Sequence, residues 1–234
     1  MTQGSVGTTS RDVGRSLPAW SSVLVVVAHP DDESFGLGAV VDGFVRAGAR
    51  VSVLCFTHGE ASTLHGVDGD LAVVREGELE AAARALGIGS VRLLGYADGA
   101  LERTPVDELA ARVAESVEEQ AADGLLVFDT TGVTGHPDHV RATEAAVRCA
   151  ADRGLGVLAW TLPGAVADQL RAESGAPFAG AGEGLVDVVL DVDRERQRVA
   201  VTCHPSQAVP SSVLWRRLEL LGDREHLRWL VPPA

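Results

Sequence analysis

The stretch "VVVAHPDDESFG", residues 25–36, decides how the chain is read. An apolar, β-branched run ends in His29 and Pro30 and then in three consecutive carboxylates, Asp31, Asp32 and Glu33. The run has the composition of a strand buried on both faces, and the polar group stands where that strand would leave its sheet. A related segment, "TGHPDHV" (134–140), follows another apolar run and supplies His136, Pro137, Asp138 and His139. Two HPD tripeptides in a chain with 7 histidines are poorly explained by composition alone. Each opens into a stretch of helical periodicity, so each reads as a strand-to-helix junction carrying chemistry.

Working outward, short β-branched runs predict strands over 23–28, 51–56, 91–94, 125–128 and 157–160, with amphipathic stretches between them. "LAVVREGELEAAARALG" (71–87) predicts a helix ended by Gly87, and "PVDELAARVAESVEEQAADG" (105–124) one with Pro105 near its start and Gly124 beyond its end. Repeated βα units define an α/β class: a Rossmann-like three-layer α/β/α domain with a mainly parallel sheet of order 3-2-1-4-5 plus a C-terminal extension. In that extension "GAPFAGAGEG" (175–184) reads as a Gly-rich loop, making 160–185 a short lid. "LVDVVLDV" (185–192) then reads as a strand, "DRERQRVAVTCH" (193–204) as a helix, and "VLWRRLELLGDREHLRWLV" (213–231) as one or two helices. Residues 1–18 are expected as a flexible polar tail and 19–234 as a single domain.

With 46% hydrophobic residues in 234, the chain can build a sizeable core. A net charge of −13 argues against nucleic acid and anionic membranes as partners and points to a small molecule. All 20 basic residues are arginine, which excludes Schiff-base chemistry on a lysine. Cys55, Cys149 and Cys203 lack metal or disulfide spacing, the start lacks the apolar region of a secretory signal, and no apolar run could span a bilayer. A cytoplasmic protein is the expectation. "GLGAVVDG" (36–43) begins like a dinucleotide fingerprint, but Val41 stands at its third glycine position.

In the 3-2-1-4-5 order, strands 1 and 4 are neighbours and their carboxyl ends form the ligand crevice at the switch point. The two HPD segments then face each other and collect three histidines and up to four carboxylates. Histidine and carboxylate donors that leave one position to water describe a catalytic zinc site. A Mg²⁺ or Mn²⁺ phosphohydrolase built on "DDE" and Asp138 is the competing reading, and the imidazoles count against it. Taken singly, Asp31 or Glu33 could equally cap a helix or sit on a solvated surface.

These residues resemble the paired signature of the PIG-L/LmbE family of zinc-dependent N-deacetylases. The likeness extends to "THGEAS" (57–62), "REGELEAAARALG" (75–87), "LLGYADG" (93–99) and "CHPSQ" (203–207), and so covers about 23–207. It implies a hydrolase of linear amides that removes an N-acetyl or other N-acyl group from an amino sugar or its conjugate, in thiol-cofactor or natural-product biosynthesis. By position it implies that His29, Asp32 and His139 hold Zn²⁺, that Asp31 is the general base, and that a protonated His136 is the acid or oxyanion partner. Asp138 would orient His136, Glu33 would lie behind the ligands or at the helix start, and Arg75 and Asp98 would bind sugar hydroxyls. Either His136 or Asp31 could protonate the departing amine. Family members often carry a tyrosine at the position of Thr134, a residue expected at the substrate, and Tyr96 is the candidate replacement. His204 is expected to line the pocket, with helix capping by Ser206 as the other account of "CHPSQ". His58 is expected on a loop surface, with a fourth imidazole near the site as the other account, and His65 and His226 are expected at the surface. An idle family member that binds without catalysing is a further reading, against which stands retention of every residue of the signature.

Overall fold

Strand β1 (Ser22–Val27) is buried along its whole length and lies inside the sheet, third of its seven strands. Val23, Val25 and Val27 point into one apolar layer, and Leu24 and Val26 into the other. A strand covered on both faces has no use for alternation with polar residues, which is why it reads as a continuous apolar run. The computed structural model describes residues 13–64, 68–182, 184–210 and 212–233.

Around β1 the sheet runs β3-β2-β1-β4-β5-β7-β6, with β2 at Arg50–Thr57, β3 at Ser90–Tyr96, β4 at Gly124–Phe128, β5 at Gly156–Thr161, β6 at Val188–Asp191 and β7 at Arg224–Val231. The first five pair in parallel, in the expected order, and β7 runs antiparallel between β5 and β6. Helices α2 (Gly38–Arg46), α3 (Leu71–Leu86), α7 (Gly164–Ser174), α8 (Glu195–Thr202) and α9 (Val213–Leu221) contribute apolar side chains to one layer. On the opposite face lie α4 (Val106–Gln120) and α6 (Pro137–Arg153), while α1 (Asp32–Phe35) and α5 (Gly132–Gly135) are single turns after β1 and β4. No helix among the described residues is long and apolar enough to cross a membrane.

Two expectations are corrected. The segment 213–231 is not all helix: Gly222, at φ 56° and ψ −133°, ends α9, and the chain returns as β7. The backbone of β7 bridges β5 to β6, a long-range pairing that helical periodicity cannot report. The segment 160–185 is not a lid: it contains α7, buries Phe178, and none of its described residues lines the cavity described below. Helix α4 ends at Ala121 in the left-handed region, and Gly124 lies beyond its end as expected, as the first residue of β4. Of the expected tail, residues 1–12 lie outside the described residues, as does His65. Residues 13–18 lie against the fold, with Gly14 bridging Val188 and Leu17 packed on the core.

Gly124 is glycine for a steric reason. A Cβ there would lie 2.2 Å from the ring of Trp20, which stacks on Phe44 and meets Trp229 edge-on. Gly124→Ala is expected to destabilise the fold by about 2 kcal/mol, the cost of overpacking a filled core, and to lower Tm by roughly 4–8 °C in a thermal melt. An unchanged Tm would mean that Trp20 is not fixed there.

Candidate functional site

A cavity of about 410 Å³ opens where β1 and β4 leave the sheet, and His29, Asp31, Asp32, His136 and His139 all line it. The chain reaches it through two strained turns. Asp31 has φ 115° and Val133, just before the second HPD, has φ 66°. Such conformations cost non-glycine residues roughly 1–3 kcal/mol and persist where the surroundings over-determine them. At Asp31 the surroundings are visible: its N–H donates to Glu33 Oε2 at 2.9 Å and its carbonyl accepts from Ser34 and Phe35. At Val133 the N–H donates to the Thr131 hydroxyl and the carbonyl accepts from Ala179 N–H at 2.7 Å.

The donor atoms converge. His29 Nδ1 lies 3.1 Å from His139 Nε2, and the Asp32 carboxylate is 3.2 Å from His139 Nε2 and 3.7 Å from His29 Nδ1. Polar contacts on the far side of each ring, a hydrogen bond for His139 and carboxylates facing Nε2 for His29, favour the inward nitrogen as the one turned to the cluster. His139 Nδ1 lies 3.2 Å from the Gly132 carbonyl, which accepts its proton, and His29 Nε2 lies 2.9 Å from Asp98 Oδ1 and 3.4 Å from Asp138 Oδ2. One nitrogen of each ring and the Asp32 carboxylate are therefore turned on one point, where either a proton on His29 Nδ1 or a metal cation can be held. Ligands about 2.0–2.1 Å from a tetrahedral ion are separated by about 3.3 Å, so these separations fit a zinc-sized metal. His136 brings a third ring nitrogen into the same cluster.

The electrostatics follow from this crowding. Although burial disfavours the imidazolium, Asp138, Asp98 and Asp32 push His29 up to about 10. Burial also opposes the charge on Asp32, yet His139 and His29 hold it well below the usual carboxylate range. Burial pushes Asp31 up to about 6, with Arg75 pulling the other way and Asp32 adding to the rise. His136 is lowered by burial and by repulsion from His139 and His29. Its Nδ1 accepts from Asp138 N–H at 3.3 Å as the N-cap of α6, so the proton of the neutral ring belongs on Nε2.

Several sequence-based assignments change. Asp138 does not orient His136 through its carboxylate, which accepts from Gly99 N–H at 2.8 Å and Leu101 N–H at 3.1 Å and faces His29. Position two of a helix projects its side chain toward the neighbouring β3 loop, so only the Asp138 backbone reaches His136. His204 is fully buried and does not line the cavity; its Nε2 lies 2.8 Å from Glu33 Oε1, and from "CHPSQ" it is Gln207 that reaches the wall. Glu33, at 0% exposure, thereby connects His204 to the Asp31 backbone. Arg75 touches the cavity, but its guanidinium pairs with Asp31 at 3.1 Å and donates to the Gly59 and Pro30 carbonyls. Asp98 also lines it, with its carboxylate held by His29 and the Ala61 N–H, and burial opposes an ionisation that His29 still draws down to about 2. Thr134 is on the wall, whereas Tyr96 bonds Glu108 at 3.0 Å and is not. His226 is half-buried in β7 and His58 is half-buried, its Nδ1 3.4 Å from the Ala72 carbonyl. Sequence reasoning misses Arg217, which α9 brings to the cavity, because an arginine pair on an amphipathic helix reads as solvated surface.

The fold and this junction of two HPD turns define a class, and comparison with known proteins agrees. Residues 24–150 match the family described as PIG-L: GlcNAc-PI de-N-acetylase, more than half of the chain, and the chain belongs to that family. It is 36% identical over 222 residues to a 1D-myo-inositol 2-acetamido-2-deoxy-alpha-D-glucopyranoside deacetylase of Kineococcus radiotolerans, covering 74% of this chain and 62% of that protein. A protein of the same description from Salinispora arenicola is 33% identical over 199 residues, covering 70% and 64%. The chain thus spans somewhat under two thirds of the length of these curated relatives. In fold it is similar to the zinc-inhibited form of a teicoplanin deacetylase, with TM-score 0.71, 21% identity, and 89% of this chain and 97% of that one covered.

Proposed function

We propose that the protein is a zinc-dependent N-deacetylase acting on the N-acetyl group of an amino sugar or amino-sugar conjugate. The observation that carries the reading is the convergence of two imidazole nitrogens and the Asp32 carboxylate beside a half-buried carboxyl, Asp31, that is not needed to hold the ion. A phosphohydrolase ion would favour an all-oxygen shell, and the carboxylates nearest His29 already accept backbone N–H groups.

His29, Asp32 and His139 would hold the metal, which when bound supplies a Lewis acid for the amide carbonyl and lowers the pKa of water toward about 7. Asp31 takes the proton of the attacking water, its carboxylate aimed by Arg75 and by the left-handed turn that Glu33 holds. His136, neutral with its proton on Nε2, donates a hydrogen bond to the carbonyl oxygen as charge develops there, in place of the imidazolium expected from sequence. The proton on Asp31 is then available to the departing amine, which completes one cycle without a second titrating group. The free thiols of Cys55, Cys149 and Cys203 support a reducing, cytoplasmic setting.

The test is acetate release from N-acetylglucosaminyl compounds. Chelation is expected to lower the rate at least a hundredfold and stoichiometric zinc to restore it. Release of phosphate from phosphorylated sugars, or no acetate from any compound after zinc reconstitution, would overturn the reading.

A further inference from the structure

The cavity contains a cation without an ion-pair partner: the carboxylates of Glu225, Asp32 and Asp31 attract it without forming a salt bridge to it. Arg75 is matched by Asp31, but Arg217 enters from α9, is 5% exposed, and takes part in none of the ion pairs formed among the described residues. Its Nη2 donates to the Phe35 carbonyl at 2.5 Å, its guanidinium lies 5.1 Å over the Trp160 ring, and its Nε has no hydrogen-bond partner. The acid that could neutralise it, Glu225, is engaged by Arg194 and by Trp160 Nε1 at 2.6 Å. Phe35, Phe128, Val213 and Leu214 line the same cavity beside the carboxylates of Asp31 and Asp32, and these apolar groups lower the local polarity so that an ionic hydrogen bond is strengthened.

A buried guanidinium without a directly paired anion costs stability, and replacing such a charge by an apolar group of similar volume is often neutral or stabilising. We propose that Arg217 is the receptor for an anionic group, a carboxylate or a phosphate, carried by the substrate that fills this cavity. The planar fork of donors suits either oxyanion, and Trp160 beneath the guanidinium holds it in plane. The inference rests on the amino-sugar reading above only for the rest of the substrate. The anion belongs either to the sugar side or to the acyl arm, two sources that separate compounds distinguish.

The experiment compares the zinc-loaded wild type with Arg217→Met and Arg217→Lys on N-acetylglucosamine, N-acetylglucosamine 6-phosphate and N-succinylglucosamine. Calorimetric titration with inorganic phosphate and with succinate runs in parallel. The expected result is a kcat/KM at least tenfold higher for one anionic compound than for the neutral one. That ratio should fall to near one in Arg217→Met and stay partly intact in Arg217→Lys. Binding of the matching anion should weaken at least tenfold, while Tm stays level or rises. Arg216→Met, which loses only surface pairs with Glu173 and Glu219, should leave the ratio unchanged. Wild-type indifference to substrate charge together with anion binding unaltered by Arg217→Met would overturn the proposal, as would a fall in Tm with equal losses on both substrate types, the mark of a structural brace. If the wild type releases no acyl product from any compound, the deacetylase reading fails, and the phosphate and succinate titrations still decide for or against Arg217.

Discussion

Asp31→Asn is expected to lower kcat by about 10³-fold, about 4 kcal/mol of transition-state stabilisation, while zinc stoichiometry stays at wild type. Asparagine is the informative replacement because it tolerates a positive φ nearly as well as aspartate, so the turn at φ 115° survives and only the proton acceptor is lost. Asp31→Ala should be as inactive, and less stable, because alanine does not favour that conformation. The pH profile gives the sign independently. The base must be ionised, so kcat/KM falls as pH drops through its pKa; burial holds Asp31 up to about 6, and the bound cation draws it down. The acidic limb therefore lies at or below pH 6 in the wild type. Zinc-loaded Asp31→Asn with near-normal turnover, assayed by acetate release, would sink the assignment of the base.

Much of the fold could be read from the sequence because β1 and β4 are covered on both faces, and such strands announce themselves as unbroken apolar runs. The site was legible to the same depth: residues adjacent in sequence to those two strand ends had to meet once the strands were neighbours. What failed was everything set by side-chain direction or by distant pairing. Asp138 and His136 are two residues apart, yet the carboxylate turns to the N–H groups of Gly99 and Leu101, donors that only the fold places there. His204 sits in a recognisable segment, but Glu33 draws it behind the site. Strand β7 carries Glu225 and Arg228 in a run that continues a helical pattern, and it is a strand because β5 and β6 offer it two open edges.

The second large effect separates the two donor sets that His29 and His139 could complete. Asp32→Asn is expected to reduce zinc affinity at least a hundredfold and to abolish acetate release at micromolar zinc. Its Oδ2 accepts the N–H groups of Ala28 at 3.2 Å and His29 at 3.0 Å, and an amide oxygen can keep both bonds. The amide nitrogen would then replace Oδ1, which lies 3.2 Å from His139 Nε2, presenting a donor where a ligand is needed. The fold should survive while the metal leaves, a separation that alanine could not give, since it would strand two buried N–H groups. His136→Gln should do the reverse. A hydrogen-bond donor to the carbonyl oxygen is worth about 10²–10³-fold in kcat, so turnover should fall by that factor with zinc still bound near stoichiometry. Both proteins can be dialysed against zinc and analysed for metal beside the wild type. Loss of zinc from His136→Gln together with its retention in Asp32→Asn would transfer the third ligand position to His136, whose ring nitrogen lies within the same cluster. Asp32 would then be the carboxylate that balances the metal's charge, and the oxyanion would need another donor from the cavity wall.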